Sequence, residues 1–205
     1  MTARVRCTGA ILAGGLASRF GGTPKGLATV AGVRMIDRAV AALREATDEI
    51  MLMANDDGAS SWLEQVPVHR DVLTGAGALG GIHAALVHGG TDIVVLPWDA
   101  PFVPGALLRE LRAVGERLAV NAAVAASDGR WGFEPLVAWY SQRCLPAIAR
   151  RIGAGDVRAG AWLDDVLVQR VDISRWGRPA LLFYNVNTQD DLARAELLAA
   201  EQEDG

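Results

Sequence analysis

At 205 residues the chain can bury one substantial core and is short for two, so a single domain is expected. A hydrophobic fraction of 51% with 21% charged residues excludes a disordered chain, and a net charge of −4 argues against an extended nucleic-acid or anionic-membrane surface. An anionic ligand would have to draw its positive field from a few local side chains and backbone N–H groups. Two cysteines, Cys7 and Cys144, are too few for a disulfide framework or a structural zinc site. No apolar run approaches the ~20 residues that span a bilayer. Gly14 and Gly15 interrupt the first apolar run early, against a signal peptide. A cytoplasmic location is the expectation.

In chain order, CTGAILAGG (7–15), EIMLMAN (49–55), VPVHRD (66–71) and DIVVLPWD (92–99) read as strands. Their apolar runs are continuous rather than alternating, as in parallel strands buried on both faces. Between them, 33–46 places Ile36, Ala39, Val40 and Leu43 on one helical face, and 104–118 does the same with Leu107, Leu108, Leu111 and Val114. Pro104 stands near the start of that second helix, where a missing N–H costs nothing. Further on, NAAVAAS, EPLVAWYS, VLVQRVDI and LLFYNVN read as strands, with helices around 145–153 and 159–167. A last helix runs from Thr188 to about Glu203, with Thr188 as cap and Asp190 and Asp191 in its first turn. Strand–helix alternation predicts a single α/β domain of Rossmann-like type, a mostly parallel twisted sheet with helices on both faces. Residues 7–103 are expected to form its nucleotide-binding part, 104–192 an acceptor-side part and 193–205 a C-terminal helix and tail.

The most informative stretch is LAGGLASRFGGTPKG, residues 12–26. A buried strand ends in two glycines, followed by a serine, an arginine, two more glycines and a lysine. A triphosphate needs many N–H donors and a chain able to curl around it, which glycine permits. Arg19 and Lys25 supply charge that the acidic chain otherwise lacks. The spacing excludes a P-loop, because Lys25 lies between Pro24 and Gly26, and the dinucleotide fingerprint has no matching register.

This loop resembles the signature of the GT-A-like nucleotidyltransferases, and most closely that of the molybdenum cofactor guanylyltransferase family. The matching positions are Leu12, Ala13, Gly14, Gly15, Ser18, Arg19, Gly21, Gly22 and Lys25. Further stations follow in the family's order. Asn55 in NDD and Asp71 in HRD occupy strand ends that the resemblance assigns to the guanine nucleotide. GAGALGGIHAAL (75–86) resembles the family's Gly-Pro-Leu-Ala-Gly-Ile segment and contributes Gly80, with Ala78 where proline is usual. PWDAPF (97–102) resembles Pro-x-Asp-x-Pro-Phe and offers Asp99 as a ligand for Mg²⁺, with Trp98 where a smaller residue is usual. YNVNTQDDL (184–192) resembles the closing motif, with Asn187 as a second metal contact.

The resemblance implies transfer of GMP from GTP to the phosphate of molybdopterin-type molybdenum cofactor. Lys25, Arg19 and Asp99 would be catalytic, and Leu12, Ala13, Gly14, Gly15, Ser18, Lys25, Asn55, Asp71 and Gly80 would bind nucleotide. Molybdoenzymes or cofactor-biosynthesis proteins are implied partners. On the acceptor side, Trp131 and Phe133 are candidates for stacking on a pterin, and Arg143, Arg150, Arg151 and Arg158 for attracting an anion. Glu134 replaces a common glutamine there, an acid awkward beside an anionic acceptor. The alternatives are a cytidylyltransferase or sugar-phosphate nucleotidyltransferase, a non-catalytic cofactor-binding adaptor and a dehydrogenase. Intact Lys25 and Asp99 speak against the adaptor, and the missing fingerprint speaks against the dehydrogenase.

Overall fold

The computed structural model describes residues 6–14, 19–20 and 23–203. Its spine is β1 (Cys7–Leu12), buried along its full length as its unbroken apolar run requires. Two short ribbons follow, β2 (Arg19–Phe20) with β3 (Thr23–Pro24) and β4 (Thr29–Val30) with β5 (Val33–Arg34). The second turns through Ala31 and Gly32, both with positive φ (48° and 72°), the two-residue turn that suits a hairpin's twist. Then come α1 (Met35–Ala46), β6 (Glu49–Met53), β7 (Val68–His69), α2 (Gly77–Gly89), β8 (Asp92–Pro97) and α3 (Gly105–Leu118). The chain finishes with β9 (Ala122–Ala126), β10 (Phe133–Tyr140), α4 (Leu145–Gly153), β11 (Val168–Val171), α5 (Pro179–Leu182) and α6 (Gln189–Glu203).

Seven strands form one sheet in the order β11-β9-β10-β8-β1-β6-β7. All run parallel except β10, which is antiparallel to both of its neighbours. One face packs against α1 and α3 through Ile11, Ile36, Leu43, Leu107 and Leu111, and the other against α2 and α4 through Ala10, Leu79, Ile82 and Ile148. A smaller cluster of Val30, Met35, Phe102, Val186, Ala195 and Ala199 seats α6. Among the described residues no helix is long and apolar enough to cross a membrane.

Register matters most for the site. Leu12 pairs with Met53 and with Pro97, and Met53 pairs with His69. The chain therefore leaves β1, β6, β7 and β8 at one level, on the edge where open α/β sheets bind ligands. Pairing continues a step past the strands, through Ala13 N to Met53 O (2.9 Å), Ala54 N to His69 O (2.9 Å) and Trp98 N to Leu12 O (3.3 Å).

Three readings of the sequence change. LLFYNVN is not a strand: Pro179 opens the short α5, and Val186 N bonds to the carbonyl of Asp99 (2.9 Å) rather than to a neighbouring strand. The helix expected over 159–167 is a 3-10 segment, Ala161–Asp165, and the strand of 66–71 is reduced to Val68–His69. The C-terminal helix, Gln189–Glu203, follows its expected cap Thr188.

Candidate active site

Lys25 opens a single 3-10 turn, Lys25–Leu27, directly after β3. Its side chain runs inward and is 5% exposed. A cation so buried needs partners, and it has two. Nζ donates to Asp99 Oδ2 at 2.5 Å and to Asn187 Oδ1 at 2.8 Å. Residues 74 and 162 positions apart thus meet at one nitrogen.

Each partner is held from behind. Asp99 follows β8, and its carbonyl accepts from Val186 N, which draws the 184–188 segment over the sheet edge. The cap of α6 then frees Asn187. Asp191 Oδ2 accepts from Asn187 N (3.0 Å) and Thr188 N (2.8 Å), while Asp191 N donates to Thr188 Oγ1 (3.1 Å). This reciprocal cap satisfies the helix start without the Asn187 side chain. Those donors, with Asn187 N first, hold the Asp191 carboxyl below the usual carboxylate range.

Lys25 and Asp99 are also tied through their neighbours. Gly26 lies flat against the Trp98 indole, with room for no side chain: a Cβ there would lie 2.6 Å from Trp98 Cδ2. Trp98, 1% exposed, stacks in turn on Trp62, centroids 5.1 Å apart at 26°. Sequence reading noted Trp98 only as a departure from the family pattern. The signal for its role was the glycine after Lys25, whose reason becomes visible once the ring is in place.

A second cluster lies across the same edge. Asn55 Nδ2 donates to Asp71 Oδ2 (2.8 Å), and Asp71 N donates to Asn55 Oδ1 (3.0 Å). Behind them is the start of α2. A Cβ on Gly80 would stand 2.9 Å from Ala76 Cβ and 3.8 Å from Asp71 Oδ2, and one on Gly81 would stand 3.4 Å from Leu12 Cδ2. Leu12, Ala13, Asn55, Asp71 and Gly80 therefore share one neighbourhood. Among the described residues nothing lies within 4 Å of a Cβ built on Gly14. Gly15 and Ser18 lie outside the described residues, as does the Arg19 side chain, whose backbone is in β2.

Asp99 and Asn187 offer a carboxylate and an amide oxygen to a cation. Among the described residues no group of three or more His, Cys, Asp or Glu could hold a metal ion. Lys25 Nζ already takes Asp99 Oδ2 and Asn187 Oδ1, so a hard divalent ion would draw on the other Asp99 oxygen and the remaining lone pair of the amide oxygen, with phosphate and water completing its ligands, rather than on an all-protein metal cage. Covalent catalysis by thiolate is disfavoured. Burial pushes both Cys7 and Cys144 up to about 12, so neither thiol ionises near neutrality.

The arginines expected to serve an acceptor separate. Arg143 donates from Nη2 to the carbonyls of Ala119 and Val120, near the start of β9, at the edge opposite Asp99. Arg151 is paired with Asp165 at 2.7 Å. Only Arg158 of that group lies against Trp131. Asn187, from beyond residue 103, meets Lys25 as its expected pairing with Asp99 requires.

The family model described as "MobA-like NTP transferase domain" matches residues 9–171. A molybdenum cofactor guanylyltransferase of Desulfosudis oleivorans is 31% identical over 92% of this chain and 94% of its own length, and one from Acidiphilium cryptum is 35% identical over 91% and 92%. Among solved structures, molybdopterin-guanine dinucleotide biosynthesis protein A from Archaeoglobus fulgidus superposes with a TM-score of 0.78 at 26% identity, covering 95% of this chain and 99% of that one. The chain belongs to the MobA-like NTP transferase family.

Proposed function

We propose that the chain transfers GMP from GTP to the phosphate of molybdopterin-type molybdenum cofactor, forming the guanine dinucleotide cofactor and pyrophosphate. The observation that carries this reading is the meeting of Lys25, Asp99 and Asn187 at the carboxyl edge of the sheet, beside the Asn55–Asp71 cluster. Asp71 and Asn55 provide acceptors and a donor suited to the guanine edge. Gly14 would let the backbone after β1 approach the phosphates, Gly15 and Ser18 being assigned there by sequence, and Gly80 would let ribose lie against α2.

The chemistry balances without a general base. An acceptor phosphomonoester, with its second pKa near ~6, is already mostly a dianion at neutral pH. One of its oxygens attacks the α-phosphorus in line. The new P–O bond forms as the bond to the bridging oxygen of the β-phosphate breaks, and pyrophosphate leaves with the electron pair. No proton need move. The residues position and neutralise. Lys25, together with Arg19, meets charge on the α-phosphate and the leaving group. Asp99 and Asn187 would hold Mg²⁺, which when bound supplies charge neutralisation at the phosphate oxygens. Asp99 also orients Lys25.

The test is pyrophosphate release from GTP, CTP, UTP and ATP with Mg²⁺, each with and without molybdenum cofactor. Release from GTP that depends on the cofactor is expected. Preference for CTP would redirect the reading to a cytidylyltransferase, and release with a sugar phosphate alone would redirect the acceptor.

A further inference from the structure

Beyond the nucleotide site, the same sheet edge carries an aromatic–arginine cluster at the junction of β9, β10 and β11. Trp131 and Phe133 lie with ring centroids 6.5 Å apart. Around them, Arg130 Cζ is 5.2 Å and Arg158 Cζ 6.0 Å from the Trp131 centroid, and Arg170 Cζ is 5.1 Å from that of Phe133. All three arginines are exposed. Arg158 is engaged by Asp156 through two 2.8 Å bonds, whereas Arg130 and Arg170 make no side-chain hydrogen bond or ion pair among the described residues. In a chain of net charge −4, two unneutralised guanidinium groups beside a third are a local anion-attracting field.

Glycines shape the cluster. Gly160 lies against the Trp131 indole, where a Cβ would approach to 2.9 Å, and Gly132 (φ +71°) lies where a Cβ would be 3.3 Å from Arg170 Nη1. Bonds from Gly132 N to Gly129 O (2.9 Å) and from Ser127 N to Gly132 O (3.2 Å) close the loop that presents Trp131. Glu134 follows Phe133 on β10, and its Oε1 would lie 3.1 Å from a Cβ on Gly129, so one acid stands beside the loop and the three arginines outnumber it.

Position supplies the rest. Because β10 is antiparallel to β8, its first residues lie at the edge where the chain leaves β8 for Asp99. Strands are ~4.8 Å apart, so a cluster built over β10, β9 and β11 lies one to three strands, roughly 5–15 Å, from Asp99. Trp131 and Phe133 pack on the α2/α4 face, which also carries Leu12 and Leu79.

We infer that this cluster is the anchor for the far end of the acceptor. Trp131 provides a stacking surface for a planar fused heterocycle, and Arg130, Arg158 and Arg170 draw in its negative charge, leaving the acceptor's phosphate at Lys25 and Asp99. The inference rests on the proposed reaction for the acceptor's identity, and binding alone tests it. The probe is a pterin carrying a phosphomonoester side chain, titrated by its own fluorescence against the full chain without nucleotide. Trp131→Ala and the double variant Arg130→Ala/Arg170→Ala should each weaken its binding at least tenfold, the arginine effect fading at high salt. GTP affinity should stay at the wild-type value in both, the unfolding midpoint should stay there in the arginine variant, and Trp131→Phe should restore most of the loss. Arg117→Ala, an exposed arginine on α3, serves as control and should change nothing. Probe binding within twofold of wild type in both cluster variants, equal losses for probe and GTP, or no binding of the probe by wild type would each overturn the assignment. Wild-type protein that binds the probe through these residues yet releases no pyrophosphate with molybdenum cofactor would refute the reaction and leave the anchor standing.

Discussion

Gly26→Ala is expected to impair turnover far more than its one added methyl suggests. The new Cβ would sit 2.6 Å from Trp98 Cδ2, and closer still to Cε3, whereas ordinary contact begins at 3.4 Å. The loop and the ring must therefore part by at least 0.8 Å, the difference between those two values. Trp98 cannot yield easily, being 1% exposed and stacked on Trp62. Overpacking of this kind costs about 1–3 kcal/mol of stability. The displacement falls on the neighbours, Lys25 on one side and Asp99 on the other, whose 2.5 Å contact holds the centre together. Misplacement of about 1 Å at a reacting centre can lower the rate by ~10²-fold. Pyrophosphate release should drop by about that factor, measured beside thermal unfolding to separate rate from stability. Trp98→Leu opens the space the methyl needs, so the double variant should be more active than Gly26→Ala alone. A Gly26→Ala protein with wild-type kcat, or a double variant no better than the single, would show that the glycine–indole contact does not set the spacing of lysine and aspartate.

Asp99→Ala removes a proposed metal ligand and one of the two partners of a buried cation, and should lower turnover by ~10³-fold or more. Near-normal rates in that variant would sink the assigned role. Chelation by EDTA should stop pyrophosphate release and added Mg²⁺ restore it; activity that survives chelation would remove the metal from the scheme. Asp71→Asn exchanges an acceptor for a mixed donor–acceptor group beside Asn55 and should weaken GTP binding about tenfold, in line with ~1.5 kcal/mol for a hydrogen bond to a charged group. Unaltered GTP affinity by calorimetry would place the base elsewhere. Acid stability reports on histidines. His83 titrates below its ordinary 6.5 because it is buried, and His69 does so through burial and then the charge of neighbouring His88. Native protein then binds fewer protons than unfolded protein, so unfolding free energy should be level above about pH 7 and decline as pH falls through 6.5. The decline should be shallower in His83→Gln, and an identical urea-unfolding profile in that variant would exclude His83 as a source.

Much of the architecture was readable because the physical signals are local. Apolar runs at 9–12, 50–53 and 93–97 are of strand length and read as buried, and the helices between them show one apolar face each. The segment 181–187 misled for the same reason. Its apolar residues satisfy a pattern for burial, but burial came from the α6 cluster and from Asp99, which local sequence does not reveal. The arginines show the limit again. Arg143 and Arg158 look alike in sequence, yet Arg143 stands just past the end of β10 and Arg158, beyond α4, lies by Trp131 ahead of its start.

From residue order alone follow the alternation that fixes the fold class, the glycine-rich segment after β1 with its lysine, and the acids and amides that end the strands. Only the folded chain decides that Lys25, Asp99 and Asn187 meet at one nitrogen, that Gly26 is glycine because of Trp98, and that Trp131 stands among arginines. Hydrogen-bond register and close packing act between residues tens to more than a hundred positions apart, and such contacts leave no periodic trace in the sequence that makes them.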